Sequence, residues 1–138
     1  MPIFFENKSA KVYYDLDLDS FFLEYTDKVV NHEQFVIINT ALLNAFKKMN
    51  TKKFVADIRK MGVISIESQK WIVDILIPEM MKHVGGENMI VAQLIDSSEI
   101  FAKVAANKIN EQVKDDKAGF QVIQFTDRSE MEAYLKSV

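Results

Sequence analysis

The residues whose types could do chemistry gather in residues 54–71, which read FVADIRKMGVISIESQKW. Asp57 and Arg59 stand two apart at the end of an apolar run, so on an extended chain they point to one face. There they can pair with each other, or offer an anion or a partner a charged edge beside the next helix start. An ion pair at a strand end is the plainer reading. Ser65, Glu67 and Ser68 follow the Met61-Gly62 turn and open an apolar helix. Ser65 suits the N-cap, its hydroxyl accepting a backbone N–H. Asp57 and Glu67 are the central candidates for proton transfer, which needs a positioned group of tuned pKa. Their spacing specifies no catalytic geometry, and the expectation is a non-enzymatic protein.

Other constellations carry less. Asp15, Asp17 and Asp19 alternate as calcium ligands do, but an EF-hand loop counted from Asp15 needs Gly at its sixth and Glu at its twelfth position. Ser20 and Thr26 stand there, so the aspartates read as a hairpin turn. His32 and His83 are the only histidines, and they lack the i, i+4 spacing of a helical zinc pair. His32 flanks a helix cap, and His83 suits the negative end of a helix. Gly85-Gly86 is not followed by the Lys-Ser/Thr of a phosphate loop. With no cysteine, disulfides and thiolate metal sites are excluded. No cofactor or metal is expected.

The 138 residues suit a single domain. A net charge of −3 with scattered lysines argues against nucleic acid as a partner. The first residues lack the basic start and apolar core of a signal peptide. No run reaches the roughly 18 apolar residues of a membrane helix. A cytoplasmic protein with no integral membrane segment is expected.

The elements that must position these residues follow from periodicity. Aromatic-rich runs at 11–16 and 21–26 form a hairpin, and residues 3–5 can add a short edge strand. Residues 31–49 make a helix capped by Asn31 and Gln34, with Phe35, Ile38, Leu42, Ala45 and Met49 on one stripe. Strand 54–58 leads to a second helix, 66–84, that is apolar almost all round: Trp71, Ile72, Val73, Ile75, Leu76, Ile77, Met80 and Met81. Pro78 should kink it and Gly85-Gly86 close it. Strand 89–95, a helix opened by Asp96 and Glu99, strand 120–125 and a last helix opened by Asp127 and Glu130 complete the chain. Met131, Tyr134, Leu135 and Val138 form the inner face of that last helix. The order is ββαβαβαβα: an α/β fold with a mixed, mostly parallel five-stranded sheet and four helices. The apolar surplus of the second helix marks Trp71, Leu76 and Met80 as contacts for a second copy, a partner or an apolar ligand.

With this order, the residues Ala56-Asp57-Ile58-Arg59, Met61-Gly62-Val63-Ile64-Ser65 and Gln69-Lys70-Trp71, with Pro78 beyond, resemble the STAS-like group, the fold of anti-sigma-factor antagonists. The resemblance covers nearly the whole chain in its order of elements and is specific over residues 54–78. It implies one STAS-like domain, residues 1–138, that regulates through protein–protein contacts, with a partner or as a homodimer. Asp57, Arg59, Ser65, Glu67 and Ser68 would then form a polar rim beside Trp71, Leu76 and Met80. In the antagonists the loop after this strand reads Asp-Ser-Ser/Thr-Gly, and a partner kinase phosphorylates one hydroxyl. Here Ile64-Ser65-Ile66-Glu67-Ser68 has no Asp-Ser-Gly. The related lipid-binding CRAL-TRIO fold shares the general architecture. With the apolar second helix, it makes a small lipid-like ligand the alternative.

Overall fold

A computed structural model of the chain describes residues 3–85, 89–96 and 120–138. Six strands form one mixed sheet in the order β1-β2-β3-β4-β5-β6. They are β1 (Ile3–Glu6), β2 (Ala10–Asp15), β3 (Ser20–Tyr25), β4 (Lys53–Asp57), β5 (Met89–Leu94) and β6 (Phe120–Phe125). The first three pair antiparallel, and β3 to β6 are parallel neighbours. Six strands, not the expected five, make up the sheet because β1 pairs along the outer edge of β2. That pairing satisfies backbone groups β2 would otherwise leave open, and Phe4 adds a ring contact 5.5 Å from Phe21.

Three helical segments lie among the described residues. They are α1 (His32–Phe46), a run made of α2 (Ile66–Trp71), the π turn Ile72–Leu76 and α3 (Ile77–His83), and α4 (Arg128–Ser137). The helix expected from Asp96 and Glu99 lies, beyond Asp96, outside the described residues, as do Gly86 and Gly119. Where the sequence suggests a kink at Pro78, that π turn stands just ahead of the proline. Proline has no N–H to give the carbonyl four residues back, and just before it the Ile77 N–H bonds the Ile72 carbonyl, five residues back.

Strand alternation divides the core in two. Val12, Phe21, Leu23, Phe54, Ala56 and Val91 face α1 and the long helical run, meeting Phe35, Ile38, Leu42, Phe46, Leu76 and Met80. Tyr13, Phe22, Val55, Ala92 and Leu94 face the other way, onto Met131 and Leu135 of α4. Lys53 Nζ donates to the Leu135 carbonyl at 2.8 Å, holding the end of α4 against the sheet. Val138 lies one residue past α4 and is 48% exposed, so it leaves the inner face assigned to it. In the hairpin Asp15 Oδ1 accepts from the backbone N–H groups of Asp17 and Leu18, and Asp19 takes φ 47°. Asp15 makes the turn by bonding the backbone that follows it, and the Asp19 carboxylate accepts from the Tyr14 hydroxyl.

Two phenols are buried in these cores. Tyr25 accepts from Asn39 Nδ2 at 3.0 Å, and burial holds its phenol above the ordinary value. Burial pushes Tyr13 up to about 12. Both folded values exceed the unfolded value of about 10, so their contribution to stability is complete below that pH. It is lost as the pH rises from about 10 through the folded values. An alkaline titration followed by tyrosinate absorbance and circular dichroism should show Tyr13 and Tyr25 ionising together with loss of helix. Full ionisation near pH 10 with an intact dichroism spectrum would contradict this burial.

Candidate functional site

Because β3 and β4 are parallel neighbours, the connections leaving them emerge side by side at one edge of the sheet. The first ends in the N-cap Asn31, whose side chain accepts from the Gln34 N–H at 2.8 Å. Gln34 Oε1 reaches back to the Val30 N–H at 2.7 Å, completing a variant of the capping box. This fixes His32 as the first residue of α1. The second connection turns at Gly62, whose φ of 77° suits glycine. It is tied to the first where the Val29 N–H donates to the Met61 carbonyl at 3.2 Å. It ends in Ser65, the N-cap of α2, whose Oγ accepts from the Ser68 N–H at 3.0 Å. Two helix starts therefore face each other.

Between them runs a chain of hydrogen bonds. Ser68 is only 2% exposed. Its Oγ lies 3.0 Å from Ser65 Oγ and 2.9 Å from His32 Nδ1. The other ring nitrogen, His32 Nε2, stands 3.8 Å from Glu67 Oε2, whose side chain is 75% exposed. Above this chain lies a hollow of about 300 Å³ lined by Val29, Val30, Asn31, His32, Val63, Ile64, Ser65 and Ser68. The arrangement offers a recess walled by aliphatic side chains, with two serine hydroxyls and an imidazole on its lining.

Asp57 and Arg59 belong to a different place. Asp57 follows Val55 by two residues on β4 and so faces the α4 side of the sheet. Its side chain is 3% exposed and is gripped in bidentate fashion by Arg59, Nε to Oδ1 at 2.9 Å and Nη2 to Oδ2 at 2.7 Å. That hydrogen-bonded carboxylate raises the Arg59 guanidinium above its ordinary value. Nearby, Tyr13 donates to Glu24 at 3.1 Å and Arg128 to Glu132 at 2.9 Å. No hydrogen bond or ion pair among the described residues joins this group to Ser65, Ser68 and His32. The sequence-expected rim is thus two groups on opposite faces of the sheet.

The apolar candidates separate as well. Leu76 and Met80 are 5% and 1% exposed and sit in the core beneath α1. Trp71 is half-buried, its ring meeting Phe35 edge-on at 6.4 Å. Sequence reasoning missed His32 as a member of the site, and missed Val30 and Val63 on its wall. The available signal was topological: helices that follow adjacent parallel strands begin next to each other. Among the described residues no group of His, Asp or Glu is placed to hold a metal ion, and no helix is long and apolar enough to cross a membrane.

Replacing Arg59 by Ala strands a buried carboxylate. The expected cost is about 2 kcal/mol, below the roughly 3–5 kcal/mol of a fully buried pair because the guanidinium is 41% exposed. Chemical denaturation reads this directly, and a variant as stable as the wild type would show the pair to be without structural weight. Comparison of the chain with protein-family models, with curated proteins and with solved structures gives no match.

Proposed function

We propose that the chain is a STAS-like, non-enzymatic binding and regulatory domain, cytoplasmic, acting through contacts with a protein partner or a second copy of itself. One patch carries this reading. Val30, Val63 and Ile66 are 74%, 61% and 71% exposed. Val30 and Val63 line the hollow, and Ile66 adjoins Ser65 at its edge. Single exposed aliphatics are ordinary, whereas three on two adjoining connections and the first turn of α2 form a patch that gains by being covered. Each gains about 25 cal/mol for every Å² of apolar surface removed from water. The patch lies beyond the carboxyl ends of parallel strands, where open α/β sheets commonly meet their ligands. The STAS-like reading draws on the antiparallel start, the parallel strands after it and the motif residues 56–71.

The position of Leu76 and Met80 in the core moves the contact surface from the long helix to the loop edge, with Trp71 at its border. A carrier of a small apolar ligand is the second reading. The aliphatic walls of the hollow favour it, although about 300 Å³ is the small end of the range for ligand pockets.

Affinity purification from the native cell, together with light scattering, separates these readings. Asp caps a helix as well as Ser does, so Ser65→Asp keeps the start of α2 while placing a charge on the rim. Ile66→Asp removes an exposed apolar contact. Both variants should remain folded and lose a partner, or a self-association, that the wild type retains. Identical partner and oligomer profiles would overturn the proposal, and a bound mass in native mass spectrometry would favour the ligand reading.

A further inference from the structure

We propose that His32 signals its protonation state to the surface by reversing the hydrogen-bond chain through Ser68, so that the Ser65 hydroxyl changes from acceptor to donor toward the hollow. The biological consequence rests on the docking reading of the Ser65 edge; the reversal itself is a property of the isolated chain.

With a neutral ring carrying its proton on Nε2, toward Glu67, the Nδ1 atom is an acceptor. Ser68 then donates to Nδ1 across 2.9 Å, and Ser65 donates to Ser68 Oγ across 3.0 Å. Ser65 Oγ also accepts from the Ser68 N–H. Its hydrogen points inward and a lone pair remains for the hollow, so the rim presents an acceptor.

A protonated ring has donors at both nitrogens. Nδ1–H must now donate to Ser68 Oγ, and the Ser68 hydrogen has to leave that line. Ser68 is 2% exposed, and a buried donor left unpaired is costly. The oxygen in reach is Ser65 Oγ at 3.0 Å. Once Ser65 accepts from both the Ser68 hydroxyl and the Ser68 N–H, its own hydrogen is free only on the outer side. Two hydroxyl rotations carry the signal, and no heavy atom needs to move.

The charged groups on the segments that meet at His32 are Glu33 on its own helix, Asp27 and Lys28 in the connection leading to it, Lys60 before the Gly62 turn, and Glu67 and Lys70 on α2. Glu67 is the one within ion-pair distance of the ring among the described residues. Its carboxylate faces Nε2 at 3.8 Å, the nitrogen that bears the proton when Nδ1 accepts from Ser68. A partner group that donates to Ser65, such as a backbone N–H or an ammonium, is held by the neutral form and released on acidification. A carbonyl or carboxylate follows the opposite course.

The test is nuclear magnetic resonance of the isolated, isotope-labelled chain between about pH 5 and 8, the range in which an ordinary histidine titrates. In the wild type the Ser65 resonances should move with the midpoint of the His32 ring signals. In Ser68→Ala, His32 should still titrate while the Ser65 shift is lost. In His32→Asn, which keeps a polar group but has no titration, Ser65 should stay flat. Ser65 resonances that ignore His32 in the wild type, or that follow it equally in Ser68→Ala, would overturn the proposal. Should Ser68→Ala fail to fold, the wild type and His32→Asn alone decide it: a Ser65 titration that persists in His32→Asn has another source. Because no partner is present, failure here is distinct from failure of the docking reading, which shows as unchanged capture by Ser65→Asp.

Discussion

The hydroxyl of Ser68 ties the start of one helix to the start of the next. It is buried where an unpaired polar group is costly, and it is paired on both sides, with His32 of α1 and with Ser65 of α2. The position of the loop edge follows from this pairing. If the two helix starts separated, Ser68 would lose a partner, and Val63 and Ile64 would no longer face Val29 and Val30 across the hollow. The parallel neighbours β3 and β4 bring the connections together, and the buried hydroxyl fixes how they meet.

The sheet separates this chain from the other charged group. Asp57 and Arg59 look like a site in the sequence because they end an apolar strand, yet their geometry is that of a closed pair. The carboxylate is buried, the guanidinium grips it with two nitrogens, and the group packs toward α4. Such a pair holds the strand end in one conformation and leaves little unpaired for a ligand. Substituting Arg59 therefore disturbs the fold, whereas Ser65, exposed and replaceable by another capping residue, offers a cleaner probe of the loop edge.

What was legible in the sequence is what local pattern specifies. The cap of α1 by Asn31 and Gln34, the alternation of β2 and β3, the capping role of Ser65 and the glycine turn all depend on residues within a few positions of one another. The edge strand β1 was faint because four residues with one paired edge give little alternation to read. The hydrogen bond from His32 to Ser68 spans 36 residues and has no local signature. The apolar surplus of residues 66–84 was ambiguous for a similar reason. Only the packing of α1 over them shows that Leu76 and Met80 are core, whereas Ile66 and Ile75 of the same run are exposed.

The central claim is that His32 and Ser68 act as one unit in holding the two helix starts. A double-mutant cycle of His32→Ala, Ser68→Ala and the pair, read by chemical denaturation, measures that coupling without any partner. The account predicts an interaction energy of about 1 kcal/mol or more, as residues within one hydrogen-bond network show. Effects that add to within about 0.3 kcal/mol would mean that the two side chains are merely neighbours, and would contradict it.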